Sequence, residues 1–433
     1  MKIVDLKCVN IEKFPTIRID TDEGVSGFSQ IEYFKGAYII PNVLIYKTLL
    51  LEMDPTNVER VMLKIRHLGG FKPWGSAISA IEMALWDLAG KAAGLPVHKL
   101  LGGKIRDKVR VYLGGQTPFS DPLPRRTGNT PEDYAEDARA KKALPENFCI
   151  IKQGFSTPFM IESGYMYGEV DKTGMTLPSG FRPGLKLPEE WEGQIGDTNS
   201  AGGRGYLNQQ LTERGLNYIV ECVKAMKEVL GDEVGLALHA TYGNTPQGLL
   251  SIAKALEPYN IMWLEDVLTG DYFPYNAVEE YRLVSSNTST PIHTGEQIYL
   301  RQGCKDLIQN HAVDVLGIDP CDVGGIAETK WIAEFADLYG ITMAPHGIGN
   351  GVFGLAAMVH MAATMPKNYI AFELPRVGSV WLDLVKGIPE NFVKDSYIEV
   401  SDRPGVGVEL VEKAVRKHIP EQEAEAFFAT KGR

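Results

Sequence analysis

The chain has 433 residues, 44% hydrophobic and 23% charged, a balance that excludes a disordered or collagen-like protein and leaves material for a large core. With 44 basic against 55 acidic side chains the net charge is −11, and no block of basic residues occurs, which argues against nucleic acid or anionic membrane as the main partner. Five scattered cysteines (Cys8, Cys149, Cys222, Cys304, Cys321) form no CxxC pair, so a disulfide scaffold or zinc cluster is not expected and a reducing cytoplasmic setting is. The opening MKIVDLKCVNIEKF is broken by charges and does not read as a signal peptide, and no apolar run approaches the roughly 18 residues that span a bilayer.

Residues 2–34 alternate apolar and polar positions around the turn signal Asp22, Glu23, Gly24, which predicts antiparallel strands. From Ser76 the pattern becomes helical: Ile78, Ile81, Ala84, Leu85, Leu88 and Ala89 recur at helical spacing, and Gly94 with Pro96 supplies the stop. Residues 1–108 are therefore expected to form an α+β capping domain. Beyond them, short β-branched runs alternate with helical patterns: 109–115, 149–155, 235–240, 261–266, 291–297, 315–320, 342–347 and 370–375. Eight such units predict a closed (β/α)8 barrel of the TIM type over 109–380, in the α/β class. Residues 381–433 return to turns and strand-like pieces and are expected to pack back on the cap. One connection is far too long for its place. Residues 155–207, rich in Gly, Pro and aromatics, read as an insertion forming a lid or an oligomer contact.

A polar residue stands near the C-terminal end of seven of the runs: Lys152, His239, Glu265, Glu296, Asp319, His346 and Glu373. The last six follow one another at 26, 31, 23, 27 and 27 residues, about one βα unit each, so they converge on the barrel's catalytic face. Glu265 and Glu296 are hard oxygen donors on neighbouring strands, suited to Mg²⁺ with positions left open for substrate. At the third ligand position stands His239, an imidazole that prefers softer metals, so Mn²⁺ is the alternative ion. Asp319 beside His346 fixes an imidazole tautomer and makes His346 a general base, facing Lys152 across the barrel. Glu373 is expected to donate a hydrogen bond to a substrate oxygen as negative charge develops there.

On these residues the sequence resembles the enolase superfamily, its mandelate-racemase-like and acid-sugar-dehydratase branches in particular. The likeness is carried by DEGVSGFSQ, SAISAIEMALWDLAGKAAGLPVHKLLGG, WLED, TGEQ, IDPCDVGGI, APHG and FEL. It implies a modified, enolase-like barrel under a capping domain, abstraction of a proton α to a carboxylate, and a bound divalent ion. The Asp319 and His346 dyad looks like the mandelate-racemase and mannonate- or galactonate-dehydratase side; the muconate-cycloisomerizing side would place lysine at Asp319. Three positions depart from the pattern: His239 stands for the usual Asp, Thr241 for the histidine of Asp-x-His, and Gly154 for the second lysine of Lys-x-Lys.

With one evident base, elimination of water is easier to build than two-base racemisation. The expected activity is dehydration of an aldonate or aldarate to a 2-keto-3-deoxy acid, in a homo-oligomeric enzyme acting on a small carboxylate. The competing readings are a racemase or epimerase of 2-hydroxy acids and a catalytically weakened member that binds sugar acids. An unrelated metal-dependent barrel hydrolase is disfavoured, because the first strand carries no His-x-His pair. Specificity is expected from the loops at 31–38 and 71–74, with Arg182 and Arg204 of the insertion as candidates for a distal carboxylate.

Overall fold

The computed structural model describes residues 1–33, 36–68, 75–120, 130–154, 206–207, 210–211, 213–239, 245–268, 274–347, 349–389 and 392–430. The cap opens with an antiparallel meander of β1 (Ile3–Ile11), β2 (Phe14–Thr21) and β3 (Ser26–Gln30), in which Gly24 adopts the left-handed conformation (φ 81°) that the tight turn requires. The helix α1 (Val58–Arg66) packs on α2 (Ser76–Ala93), which lies against the sheet. The six apolar positions of α2 picked out by periodicity are buried, and Gly94 ends the helix in left-handed backbone. Strand β3 approaches α2 so closely that a Cβ on Gly27 would lie 2.1 Å from the Ala84 carbonyl oxygen.

All eight expected barrel strands are present: β4 (Lys108–Tyr112), β5 (Ile150–Gly154), β6 (Gly235–His239), β7 (Trp263–Glu265), β8 (Ile292–Thr294), β9 (Val315–Leu316), β10 (Thr342–Met343) and β11 (Phe372–Glu373). Parallel ladders join β5 through β10 in order, and β11 pairs in parallel with β4. Single parallel bridges, Leu113 to Ile151 and Met343 to Tyr369, close the remaining gaps. The outer layer is α3 (Pro131–Lys142), α4 (Glu213–Leu230), α5 (Pro246–Leu256), α6 (Val278–Ser285), α7 (Leu300–Gln309), α8 (Ile326–Leu338) and α9 (Gly351–Thr364). After β11 only a single turn, α10 (Trp381–Leu384), takes the eighth helical place. The architecture is thus a modified (β/α)8 barrel with an α+β cap, and among the described residues no helix is long and apolar enough to cross a membrane.

The C-terminal residues divide between the two units. Strand β12 (Tyr397–Glu399) pairs antiparallel with the start of β4, on the barrel, whereas α11 (Glu421–Phe428) lies against the cap, where Arg18 Nη1 donates to the Phe427 carbonyl at 2.9 Å.

A polar seam joins cap to barrel. The face of α2 that does not touch the sheet carries Ser76, Ser79 and Glu82, all buried. Ser76 bonds Asp322, Ser79 Oγ accepts from Gly324 N at 3.0 Å, and Glu82 accepts from Ile326 N and Ala327 N, each at 2.9 Å. Glu82 therefore satisfies the free N–H groups at the start of α8. Gln30 does the same for α9, its Oε1 accepting from Val352 N (2.7 Å) and Phe353 N (3.1 Å). Gly325 must be glycine: its φ is 109°, and a Cβ there would meet Glu82 Oε2 at 1.9 Å.

Candidate active site

The floor of the barrel mouth is aromatic and dry. Trp263 stacks on His293 with centroids 5.3 Å apart, Tyr112 meets Trp263 edge-on, and Gly317 leaves room for the His293 ring. Above that floor stand two groups of polar side chains, all contributed by C-terminal strand ends.

The first group comprises Lys152 on β5, His239 at the end of β6 and Glu265 at the end of β7. Lys152 Nζ lies 2.7 Å from Glu265 Oε1 and 3.0 Å from Glu373 Oε1. His239 Nδ1 is 3.2 Å from the same Glu265 oxygen, and Trp263 Nε1 donates to the other at 2.9 Å. Burial disfavours the Glu265 carboxylate, but Lys152, His293 and His239 outweigh it and hold its pKa well below the usual range. The same balance, reversed in sign, raises Lys152: burial lowers it, and Glu265 and Glu373 more than compensate. His239 is likewise raised, with burial opposed by its Glu265 hydrogen bond.

The second group is the dyad. His346 Nδ1 is 2.7 Å from Asp319 Oδ2, and Asp319 Oδ1 accepts from Cys321 N (2.7 Å) and Asn350 Nδ2 (3.0 Å). A carboxylate only accepts, so Nδ1 carries the proton and Nε2 faces the mouth, 3.2 Å from Glu296 Oε2 and 3.5 Å from Glu373 Oε2. Burial opposes the imidazolium, yet Glu296, Glu373 and Asp319 raise His346 well above the ordinary histidine value. Glu296 is depressed in turn, its burial overcome by His346 and His239, and Tyr275 donates to its Oε1 at 2.9 Å.

All seven residues singled out from the sequence thus meet in one connected network. Sequence reasoning passed over several others. Asp266 is buried beside Glu265 and receives a hydrogen-bond chain, Tyr281 donating to Thr294 (2.9 Å) and Thr294 to Asp266 Oδ1 (2.6 Å). Burial, then Glu296 and Glu265, push the Asp266 carboxyl up to about 8. From the cap, Glu32 brings a carboxylate oxygen within 4.8 Å of donor atoms of Asp319 and His346, and Tyr33 hydrogen-bonds Arg376, which follows β11. Asp266 was visible in WLED and Glu32 in the specificity loop; Asn350 and Arg376 carried no spacing signal. Phe34, Lys35 and Phe71 to Trp74 of the loops expected to set specificity lie outside the described residues, as do Thr241 and residues 155–205 of the expected insertion with Arg182 and Arg204.

His239, Glu265, Asp266 and Glu296 each offer one donor atom, all within 4.8 Å of one another. Three carboxylates and an imidazole form a set of hard and borderline donors, which fits a divalent cation of the Mg²⁺ or Mn²⁺ kind.

An enolase-like barrel with an acidic strand-end cluster, a lysine and an Asp–His dyad under an α+β cap is the class these features define. The chain belongs to the mandelate racemase/muconate lactonizing enzyme group of the enolase superfamily: residues 4–102 match the N-terminal domain of that family and 201–414 match the enolase C-terminal domain-like family. It is 28% identical over 416 residues to a D-xylonate dehydratase of Haloferax volcanii, covering 94% of this chain and 85% of that one. To a D-mannonate dehydratase of Sphingomonas sp. it is 29% identical over 430 residues, covering 95% and 93%. A mandelate racemase/muconate lactonizing enzyme-like protein of Rubrobacter xylanophilus superposes with a TM-score of 0.72 at 27% identity, covering 97% and 98%.

Proposed function

We propose that the protein is a divalent-metal-dependent dehydratase that converts a sugar acid, an aldonate or aldarate, to its 2-keto-3-deoxy acid, acting in the cytoplasm. The observation that carries this reading is the dyad: His346 Nε2 points into the mouth while Nδ1 is fixed by Asp319 at 2.7 Å. The names of the relatives, dehydratases of xylonate and mannonate, support it. Glu265, Glu296 and His239 would hold the ion, Mg²⁺ or Mn²⁺. When bound, that ion supplies electrophilic stabilisation for the charge that develops on the substrate carboxylate.

His346, neutral once the Glu296 charge that raises it is engaged elsewhere, removes the α-proton at Nε2, and Asp319 stabilises the imidazolium that results. The C–O bond to the β-hydroxyl then breaks, His346 returns its proton to the departing oxygen as water forms, and the enol product tautomerises to the 2-keto acid. Lys152 sets a positive charge beside the substrate carboxylate, and Glu373, between Lys152 and His346, is placed to hydrogen-bond a substrate oxygen. Because Lys152 is engaged by two carboxylates and its pKa is raised, it is a poor second base, which favours elimination over racemisation.

The test is a panel of aldonates and aldarates incubated with Mg²⁺ or Mn²⁺, scored for 2-keto-3-deoxy acids by semicarbazone absorbance. Metal-dependent product from at least one acid is expected. No product from any, with α-deuterium exchange of a 2-hydroxy acid in D₂O, would replace dehydration with racemisation.

A further inference from the structure

We propose that Asp266 is a direct ligand of the divalent ion, supplying the carboxylate that His239 withholds from the neighbouring strand. The inference rests on the metal-dependent reading above and concerns how this chain holds its ion. An imidazole in place of a carboxylate removes one negative charge from a site for a hard dication, and affinity in oxygen-ligand sites follows the number of charged ligands.

Backbone geometry brings the missing charge back. Side chains alternate across a strand, so the residue after Glu265 should point away from the mouth and into the helical layer. Asp266 does not continue the strand. Its φ is 52°, a left-handed conformation that a non-glycine residue seldom adopts, and the turn breaks the alternation. Two consecutive carboxylates consequently serve the same cluster, a donor atom of Asp266 lying within 4.8 Å of those of His239, Glu265 and Glu296. The side chain is oriented by the Tyr281 and Thr294 hydroxyl chain arriving at one oxygen, Oδ1. A third carboxylate oriented toward the donor atoms of His239, Glu265 and Glu296 gives a dication the charge that the imidazole at 239 does not.

The experiment is titration of the metal-stripped protein with Mn²⁺, free ion being read from its electron paramagnetic resonance signal, for the wild type, Asp266→Asn, His239→Asp and the double variant. Asp266→Asn keeps an acceptor for Thr294 and removes only the charge; it is expected to weaken Mn²⁺ binding by about 10- to 100-fold, with the melting temperature of the ion-free protein unchanged or raised. The double variant, with a carboxylate restored at 239, is expected to recover affinity to within about threefold of wild type. Asp266→Asn binding within threefold of wild type, or a loss that His239→Asp does not repair, overturns the assignment and leaves the dehydratase reading standing. A wild type that takes up neither Mn²⁺ nor Mg²⁺ overturns both.

Discussion

The two halves of the barrel mouth are held by different means. Asp319 and His346 are fixed by backbone and amide groups: Cys321 N and Asn350 grip one Asp319 oxygen, and the segment that follows is bound to the cap through Ser76, Ser79 and Glu82. On the other side, Lys152, His239, Glu265 and Glu373 are held largely by one another's charges. The departures from the family pattern, His239 and Gly154, fall on this second side. Where charged side chains position each other, a swap can be absorbed by rearranging the set; where the backbone positions them, it cannot.

The largest effect that would sharpen this contrast is on the dyad. His346→Asn is expected to lower turnover by about 10³-fold or more while leaving the circular dichroism spectrum native, measured once the substrate panel has supplied an assay. A variant retaining a tenth of the activity would move the base elsewhere. Lys152→Met strands two buried carboxylates, and the predicted cost is about 3–5 kcal/mol of unfolding free energy in urea. Unchanged stability there would mean that the charge network is not what holds that side together.

One group from each side, His346 and Glu265, should respond to pH in opposite directions in the metal-stripped protein. His346 is raised in the folded state, so its stabilising contribution is complete below about pH 6.5 and is lost as pH climbs through its folded value. Glu265 is depressed, so its contribution is complete above about pH 4.5 and disappears as pH falls through its folded value. Each slope reaches at most about 1.4 kcal/mol per pH unit. Denaturation curves across pH should show a shallower alkaline slope in His346→Asn and a shallower acidic slope in Glu265→Gln; both variants flattening the same limb would refute these two contributions. The smallest expected change is in Tyr275→Phe, which removes one hydrogen bond to Glu296, worth about 1 kcal/mol, and should weaken Mn²⁺ binding by no more than about fivefold.

The architecture was legible because barrel strands leave two independent marks, a β-branched run and a polar residue at a fixed phase of a βα period. The marks locate side chains better than they locate ladders. Glu296, Asp319 and His346 lie two or three residues beyond the ends of their strands at Thr294, Leu316 and Met343. What stayed hidden had physical reasons. Strict alternation puts Asp266 on the wrong face, and only its left-handed backbone overrides that. Asn350 reaches Asp319 across 31 residues, and Glu32 reaches the dyad from the cap, nearly three hundred residues away; no local pattern encodes either contact. Strand β12 pairs with the start of β4 from almost three hundred residues further along the chain, another contact no local pattern encodes.

Gln30 and Glu82 carry a consequence for recombination among relatives. Because the cap furnishes the N-terminal partners of α8 and α9, which directly follow the strands bearing Asp319 and His346, the two units cannot be exchanged as independent modules. A hybrid that grafts a foreign cap onto this barrel is expected to keep the placement of Asp319 and His346 only if the donor also brings an amide at position 30, a hydroxyl at 79 and a carboxylate at 82. Those three side chains are the interface grammar that any transplanted cap would have to share.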